Sequence, residues 1–135
     1  MNSAKLSYLF PKKTKIQSSD TDYFKIEDGV LIKYTPKTSV TSVTIPNEVT
    51  AIGNRAFSMC ENIVSVNIPE TVIYIGERAF EYCNSLTSIT IPASITRIDN
   101  FAFAICTNLE NASVPEHMKN KLNGVFSRKT HINYY

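Results

Sequence analysis

The sequence is poor in the residues that usually mark a specialised class of protein. Its 135 residues include 4 glycines, 6 prolines, 3 cysteines and no tryptophan. So little glycine and proline excludes a low-complexity linker, and the length suits one compact domain. An odd number of cysteines, without a Cys-x-x-Cys pair, argues against a disulfide framework and a zinc knuckle. The net charge of +2 is too small to indicate a nucleic-acid-binding protein.

Long hydrophobic runs are also missing. No apolar stretch approaches the roughly 18–20 residues that a membrane-spanning helix needs, so membrane insertion is not expected. Near the N-terminus, residues 6–10 form a short apolar stretch that ends at Pro11. A secretory signal needs an apolar core of roughly 7–15 residues, so no export signal is visible in these residues. The cellular location is therefore open at this point.

Side chains suited to catalysis or metal binding are scarce and scattered. The two histidines, His117 and His131, have no second ligand at a recognised metal spacing. There is no glycine-rich phosphate loop, and no pair of carboxylates stands out. The sequence therefore predicts no enzyme, no catalytic or metal-binding residue and no cofactor.

Two residue types recur every 23 positions. The cysteines are Cys60, Cys83 and Cys106, and the last four prolines are Pro46, Pro69, Pro92 and Pro115. An Ala-Phe pair follows the same period, and so does the apolar residue that closes each unit. A fixed period of 20–50 residues is typical of a repeat protein. The cysteines are predicted to be buried free thiols in one column, with a disulfide between adjacent coils as the alternative.

Each 23-residue unit changes its hydrophobic period halfway. In the central copy, Val66 and Ile68 alternate with polar residues, which predicts a short strand that ends at Pro69. Further along, Ala79, Phe80, Cys83 and Leu86 have the spacings of a short helix or helical turn. So small a unit cannot bury its apolar face alone, so the copies are expected to stack into a solenoid.

The repeat sets the predicted domain organisation. Three copies are intact and the fourth is degraded, as a terminal cap requires. Upstream, the segment around Asp28-Gly29 has the pattern of a β-hairpin. We therefore expect an N-terminal extension at 1–22, a hairpin cap at 23–39 and a solenoid at 40–135.

The central copy, residues 66–86, resembles the BspA-type leucine-rich repeat. That pattern has a strand ending in Ile-Pro, followed by Val-x-x-Ile-Gly-x-x-Ala-Phe-x-x-Cys-x-x-Leu. The resemblance covers roughly residues 40–132, although Asp99 replaces the glycine found at Gly53 and Gly76. It implies an α/β repeat fold: a short curved leucine-rich repeat solenoid with parallel strands on the concave face and short helices on the other.

The same resemblance implies a function. Members are mostly surface or secreted proteins linked to adhesion, so it implies a non-catalytic module that binds a protein or peptide, with host matrix proteins among the candidate partners. The absence of a visible signal and the three unpaired thiols favour an alternative, an intracellular interaction scaffold. Neither alternative involves nucleic acid.

Two surfaces are candidate binding sites. The outward positions of the predicted strands carry small polar side chains: Ser42, Thr44, Ser65, Asn67, Ser88 and Thr90. These residues either form a contact surface or simply suit an exposed sheet. On the other side, Tyr82, Phe101 and Ile105 are predicted to form an apolar patch. Such a patch marks a partner or self-association site, unless the tail, residues 131–135, folds back over it.

Overall fold

The computed structural model describes residues 15–16, 22–36 and 39–135. The prediction for the N-terminal extension, 1–22, lies outside the described residues apart from 15–16 and 22. The strands are β1 (Lys15–Ile16), β2 (Asp22–Glu27), β3 (Val30–Pro36), β4 (Ser42–Thr44), β5 (Ala51–Ile52), β6 (Ser65–Asn67), β7 (Tyr74–Ile75), β8 (Ser88–Thr90), β9 (Arg97–Ile98), β10 (Asn111–Val114) and β11 (His131–Tyr134). A 3-10 helix spans Glu116–Met118.

The strands stack into a solenoid of about four turns, as the repeat predicts. One side of the solenoid, here called the strand face, consists of β4, β6, β8, β10 and β11. On this face β4 pairs with β6, and β10 pairs with both β8 and β11. All these pairs are parallel. The two-residue strands β5, β7 and β9 continue a second sheet in the order β1-β2-β3-β5-β7-β9.

Alternation along the strand face explains why these short segments are strands. In β4, β6 and β8 the middle residue is buried and its two neighbours are exposed. The buried residues are Val43, Val66 and Ile89, one from each intact coil. β-branched side chains suit such a half-buried pleated surface.

The third side of each coil, here called the turn side, comprises residues 53–62, 76–85 and 99–108. These ranges contain hydrogen-bonded turns and no helix, so the short helices predicted for this side are wrong. The amides of Arg55, Phe57 and Met59 donate to the carbonyls of Glu77, Ala79 and Glu81 in the next coil at 3.1, 2.7 and 2.8 Å. An α-helix would need these amides for its own carbonyls four residues back. The backbone instead uses them to join the coils.

This hydrogen bonding also affects the shape that the resemblance implies. Helices pack roughly 8–10 Å apart, whereas paired strands lie about 4.8 Å apart. A helical side would spread the coils and bend the solenoid there. Because the turn side is hydrogen-bonded from coil to coil, it lacks the wide spacing on which the predicted curvature depends.

An aromatic column runs through the core. Its rings are those of Phe24, Tyr34, Phe57, Phe80, Phe103 and Phe126, with neighbouring centroids 4.8–5.1 Å apart. Tyr34 stands 23 residues before Phe57 and occupies the same slot.

Tyr34 also corrects the prediction of a separate hairpin cap. Strands β2 and β3 do pair as an antiparallel hairpin. However, β3 pairs in parallel with β5, and the Tyr34 amide donates to the Ala56 carbonyl at 2.9 Å. The second strand of the hairpin is therefore part of the coil stack, and a distinct capping module is not supported.

The three cysteines occupy the same position in three successive coils. Cys60, Cys83 and Cys106 are free thiols, and all three are buried. The Cys83 Sγ donates to the Phe57 carbonyl at 3.1 Å, and the Cys106 Sγ donates to the Phe80 carbonyl at 3.0 Å. Each of these two thiols thus joins its coil to the preceding one.

None of the helices in the described part of the chain is long and apolar enough to cross a membrane.

Candidate functional site

The strand face displays the first predicted contact set. The side chains of all six residues are exposed: Ser42, Thr44, Ser65, Asn67, Ser88 and Thr90. They lie in three rows of two, one row per coil. The expected polar surface is therefore present, and its details decide what it can bind.

The first two rows bond to each other. Ser42 is in register with Ser65, and their hydroxyl oxygens lie 3.0 Å apart. The Asn67 side-chain amide donates to the Thr44 hydroxyl at 3.3 Å. Much of the hydrogen-bonding capacity of these four side chains is therefore used within the sheet.

The second and third rows do not bond to each other. Between β6 and β8 the ladder is interrupted, although β4 pairs with β6 and β8 pairs with β10. The amides of Ile45 and Ile91 donate to the next coil at 3.1 and 2.8 Å, whereas the equivalent amide of Ile68 has no acceptor among the described residues. Ile68 is also only half-buried, while Ile45 and Ile91 are buried. We call the interruption between β6 and β8 the open seam.

A cavity of about 260 Å³ lies in the open seam. Four of the six predicted residues line it: Ser65, Asn67, Ser88 and Thr90. Glu70 also lines it and accepts a hydrogen bond from the Ser94 amide at 3.3 Å. Sequence reasoning missed this cavity because β6 and β8 carry the same alternating pattern as the paired strands.

The apolar set on the turn side is exposed as predicted. The exposed fractions are 37% for Tyr82, 45% for Phe101 and 46% for Ile105, and Met59 adds a fourth large apolar side chain at 62%. The tail does not cover them, because β11 pairs with β10 on the strand face. The alternative in which residues 131–135 fold over this patch is therefore excluded.

These apolar side chains stand on an unusual backbone. Met59, Tyr82, Phe101 and Ile105 have φ angles of 64°, 65°, 63° and 56°. This left-handed region favours glycine and asparagine, and a β-branched residue such as Ile105 is an outlier there. Arg55 and Arg78 have the same backbone, with φ angles of 59° and 57°, so this conformation belongs to the repeating turn, at a cost of about 1–3 kcal/mol per residue.

Two arginines beside the apolar set differ in their partners. The Arg78 guanidinium lies 4.7 Å from the centre of the Phe101 ring, and its Nη1 donates to Glu81 at 2.9 Å. Arg55, one coil earlier in the same slot, forms no ion pair or side-chain hydrogen bond with the described residues. This cation is therefore available to a partner.

Asp99, which departs from the repeat, forms a polar clamp between coils. The Tyr74 hydroxyl donates to its Oδ2 at 2.5 Å, and the Arg97 Nε donates to its Oδ1 at 2.7 Å. Burial acts to raise the pKa of Asp99, but the bonds from Tyr74 and Arg97 outweigh it and bring the pKa below its ordinary value. The hydrogen bond to Asp99 and burial raise the pKa of Tyr74. This cluster holds two coils together and contains no activated nucleophile.

All three thiols are buried, and two of them are poorly suited to nucleophilic or metal chemistry. The hydrogen bond with Cys83 lowers the pKa of Cys106, whereas the other two pKa values are raised. Burial raises the pKa of Cys60 to about 11, against the opposing charge of Lys33. The neighbouring thiol of Cys106 and burial raise the pKa of Cys83. Thiols with raised pKa values stay protonated at neutral pH and are weak nucleophiles. In the described part of the chain, no group of three or more His, Cys, Asp or Glu side chains is placed to hold a metal ion.

Comparison with known proteins identifies a family. The model of the BspA type leucine-rich repeat region matches six copies over residues 33–135. A leucine-rich repeat protein from Bacteroides capillosus ATCC 29799 is 27% identical, with a TM-score of 0.71 over 88% of this chain and 97% of that one. A leucine rich cell surface protein from Faecalibacterium prausnitzii A2-165 is 29% identical, with a TM-score of 0.57 over 87% of this chain and 38% of that one. No protein with a curated description matches the chain.

Proposed function

Because this chain belongs to the BspA-type leucine-rich repeat family, whose repeats typically bind proteins, we propose that it is a non-catalytic protein-binding module with its contact site at the open seam. The observation that supports this site most directly is the interruption between β6 and β8. It leaves polar groups facing a cavity on an otherwise hydrogen-bonded sheet.

The chemistry of the seam suits an extended peptide. A backbone donor left without a partner at the seam can bond a carbonyl of a peptide that lies over the cavity, which supplies affinity through a main-chain hydrogen bond. The amide of Ile68 is such a donor, because it has no acceptor among the described residues. The small side chains of Ser65, Ser88 and Thr90 allow a peptide backbone to approach closely. Since no large aromatic anchor lines the cavity, the affinity is expected to be modest.

Selection from a displayed peptide library tests this proposal. Peptides selected on the wild-type protein are re-measured on Thr90→Arg, which fills the seam with a long side chain. Asn133→Arg is the matched control, because Asn133 is exposed on β11, continues the register of Thr90 and Ser113, and has no side-chain bond among the described residues. We expect at least tenfold weaker binding to Thr90→Arg and unchanged binding to Asn133→Arg. Equal binding to both variants, or no enriched peptide, would overturn the site.

A surface or secreted adhesion role is part of the proposal. It is supported by the similarity to the cell surface protein of Faecalibacterium prausnitzii, of which this chain covers 38%. A host matrix protein is the partner expected in that role. Protease treatment of intact producing cells tests the location, because a surface protein is cut while an internal control protein is not. Survival of the protein until the cells are lysed would contradict the adhesion role.

An intracellular interaction scaffold is the second candidate. The three free cysteines favour it, because reducing compartments preserve free thiols. In this role the seam would accept a segment of an internal protein, and the same protease experiment would leave the protein intact. The two candidates therefore share a binding site and differ in where the partner is found.

A further inference from the structure

Two of the three buried thiols lie against each other. Cys83 and Cys106 occupy the same slot in adjacent coils, and their side chains are hydrogen-bonded to each other. The backbone beside them is joined from coil to coil, because the Tyr82 amide donates to the Ala104 carbonyl at 3.0 Å. Extended segments joined in this way lie about 4.8 Å apart, within the range of about 4.4–6.8 Å that a disulfide requires between its Cα atoms. A covalent bond between the two sulfur atoms therefore needs no large movement of the backbone.

The direction of the Cys106 side chain favours the same bond. Its Sγ donates to the carbonyl of Phe80 in the preceding coil at 3.0 Å. The side chain thus crosses the boundary between the coils and reaches towards the coil that contains Cys83. The Cys83 Sγ has the equivalent bond to Phe57, one coil further along the stack, at 3.1 Å. The two thiols therefore point the same way, with Cys106 behind Cys83.

A small oxidant can reach this pair from the Cys106 end. A cavity of about 180 Å³ is lined by Cys106 together with Ser127 and Lys129 of the next coil. Lys129 follows Cys106 by 23 residues and is exposed, so the column of cysteines ends here and no further thiol packs over Cys106. One water occupies about 30 Å³ in the liquid, so hydrogen peroxide fits this cavity. Only a small molecule is suitable, because 3% of Cys106 is exposed.

We propose that Cys106 and Cys83 form a peroxide-sensitive dithiol, in which Cys106 attacks a hydroperoxide and Cys83 closes an intramolecular disulfide. In the first step the Cys106 sulfur attacks one peroxide oxygen and the O–O bond breaks. The thiol proton joins the departing hydroxide as water, and Cys106 becomes a sulfenic acid. The Cys83 sulfur then attacks the Cys106 sulfur, the S–O bond breaks, and the Cys83 proton leaves with the hydroxide as a second water.

The reaction is balanced. Two thiols lose two electrons and two protons, and one hydrogen peroxide is reduced to two waters. Dithiothreitol reverses the change by exchange with the disulfide. This proposal goes beyond the function of the open seam and uses none of its residues.

The acidities of the two thiols agree with these roles. The hydrogen bond between them lowers the pKa of Cys106, and the same bond together with burial raises the pKa of Cys83. A thiol of lowered pKa beside a second, resolving thiol is typical of a redox-sensitive cysteine. Cys106 is therefore the nucleophile, and Cys83 stays protonated until the sulfenic acid has formed.

Cys60 provides an internal comparison. It occupies the same slot one coil before Cys83 and also lines a cavity, of about 400 Å³. Access alone therefore does not distinguish the two ends of the column. Burial, however, raises the pKa of Cys60 to about 11 against the charge of Lys33, and a protonated thiol is a weak nucleophile. We expect Cys60 to stay reduced while the other two cysteines pair.

Peptide mapping of the peroxide-treated wild-type protein tests the proposal. Trypsin places each cysteine on its own peptide, 56–78, 79–97 or 98–119, because it cleaves after Arg55, Arg78, Arg97 and Lys119. The reduced, folded protein is treated with hydrogen peroxide, unfolded with an alkylating reagent, and digested without reductant. We expect peptide 79–97 to be joined to 98–119 in most molecules and released by dithiothreitol, with Cys60 alkylated. Three separate alkylated peptides, or 56–78 joined to 79–97 in equal amount, would overturn the proposal.

Single variants test the separate roles. Cys60→Ser is the matched control and is expected to form the same disulfide at the wild-type rate. Cys83→Ser removes the resolving thiol, so its Cys106 is expected to be labelled by dimedone as a sulfenic acid. Cys106→Ser is expected to lose thiols to peroxide at least tenfold more slowly than the wild type.

Thermal melts verify that the variants are folded, and alanine replaces serine where the hydroxyl prevents folding. The mapping of the wild-type protein depends on none of them. Thr90→Arg, which blocks the open seam, is expected to oxidise like the wild type, so failure of the seam and failure of the dithiol are separable. Wild-type rates of thiol loss in Cys106→Ser would contradict the assignment of Cys106 as the attacking thiol.

Discussion

Phe80 stacks on Phe103 with ring centroids 4.9 Å apart and ring planes 3° apart. This separation is close to the spacing of strands in a sheet, about 4.8 Å. The same spacing between coils therefore holds in the core, on the strand face and on the turn side. The free energy of folding depends on this agreement, because each coil buries its apolar residues only against its neighbours.

Loss of a central ring is expected to destabilise the protein strongly. Phe80→Ala should lower the free energy of unfolding by about 3–5 kcal/mol, because Phe80 is fully buried between two rings. Phe126→Ala is the control, since Phe126 is half-buried and has one ring neighbour. Urea denaturation monitored by circular dichroism measures both. A loss below about 1 kcal/mol for Phe80→Ala would mean that the ring column is not a main source of stability.

The clamp around Asp99 predicts a pH dependence. Its folded pKa lies below the ordinary value of 3.8, so its stabilisation is complete above pH 3.8 and is lost as the pH falls through the folded pKa. Asp99→Asn should therefore be less stable than the wild type at pH 7, and the difference should shrink at low pH. Urea unfolding from pH 7 to pH 2 measures this difference.

The matched control for that experiment is Glu61→Gln, which alters an exposed carboxylate without an ion pair among the described residues. Its stability difference from the wild type should be small at every pH. If the deficit of Asp99→Asn stays constant down to pH 2, the hydrogen bonds from Tyr74 and Arg97 do not stabilise the ionised carboxylate.

Buried thiols predict slow chemical modification. Cys60, Cys83 and Cys106 should react with a thiol reagent only as fast as the protein opens, because all three are buried and the pKa values of Cys60 and Cys83 are raised. Absorbance measurements with an aromatic disulfide reagent should count three thiols in denaturant and almost none within minutes in buffer. Rapid reaction of a thiol in the folded protein would contradict their structural role.

Relief of backbone strain at Ile105 predicts a change in stability. Ile105→Asn should raise the stability of the monomer by up to about 1 kcal/mol relative to Ile105→Ala, because asparagine tolerates a positive φ. Equal stability of the two variants would show that the left-handed backbone at this position carries no strain.

Much of the fold could be predicted from the sequence because the repeat appears in its spacing. Cys60, Cys83 and Cys106 mark the coils, and their burial follows from their common slot. Tyr34 also stands 23 residues before Phe57, a signal that places the second hairpin strand within the stack. The helices were predicted wrongly because the spacing of the apolar residues in 79–86 fits a turn as well as a helix. Side-chain patterns do not reveal where backbone amides donate.

The binding surfaces were predictable only in part. Exposure of Thr90 and Phe101 followed from their slots in the repeat. The open seam did not, because Ile68 has the same sequence context as Ile45 and Ile91. What distinguishes it is the missing hydrogen bond to the next strand, which depends on how whole coils pack.

Amide hydrogen exchange at Ile68 tests the central claim most directly. Ile45, Ile68 and Ile91 occupy one slot in three coils, and among the described residues only the Ile68 amide lacks the bond to the next coil. We predict that the Ile68 amide exchanges at least tenfold faster than the other two and becomes protected when a selected peptide binds. Protection of Ile68 equal to that of Ile45 and Ile91 in the free protein would contradict the open seam and the binding site proposed there.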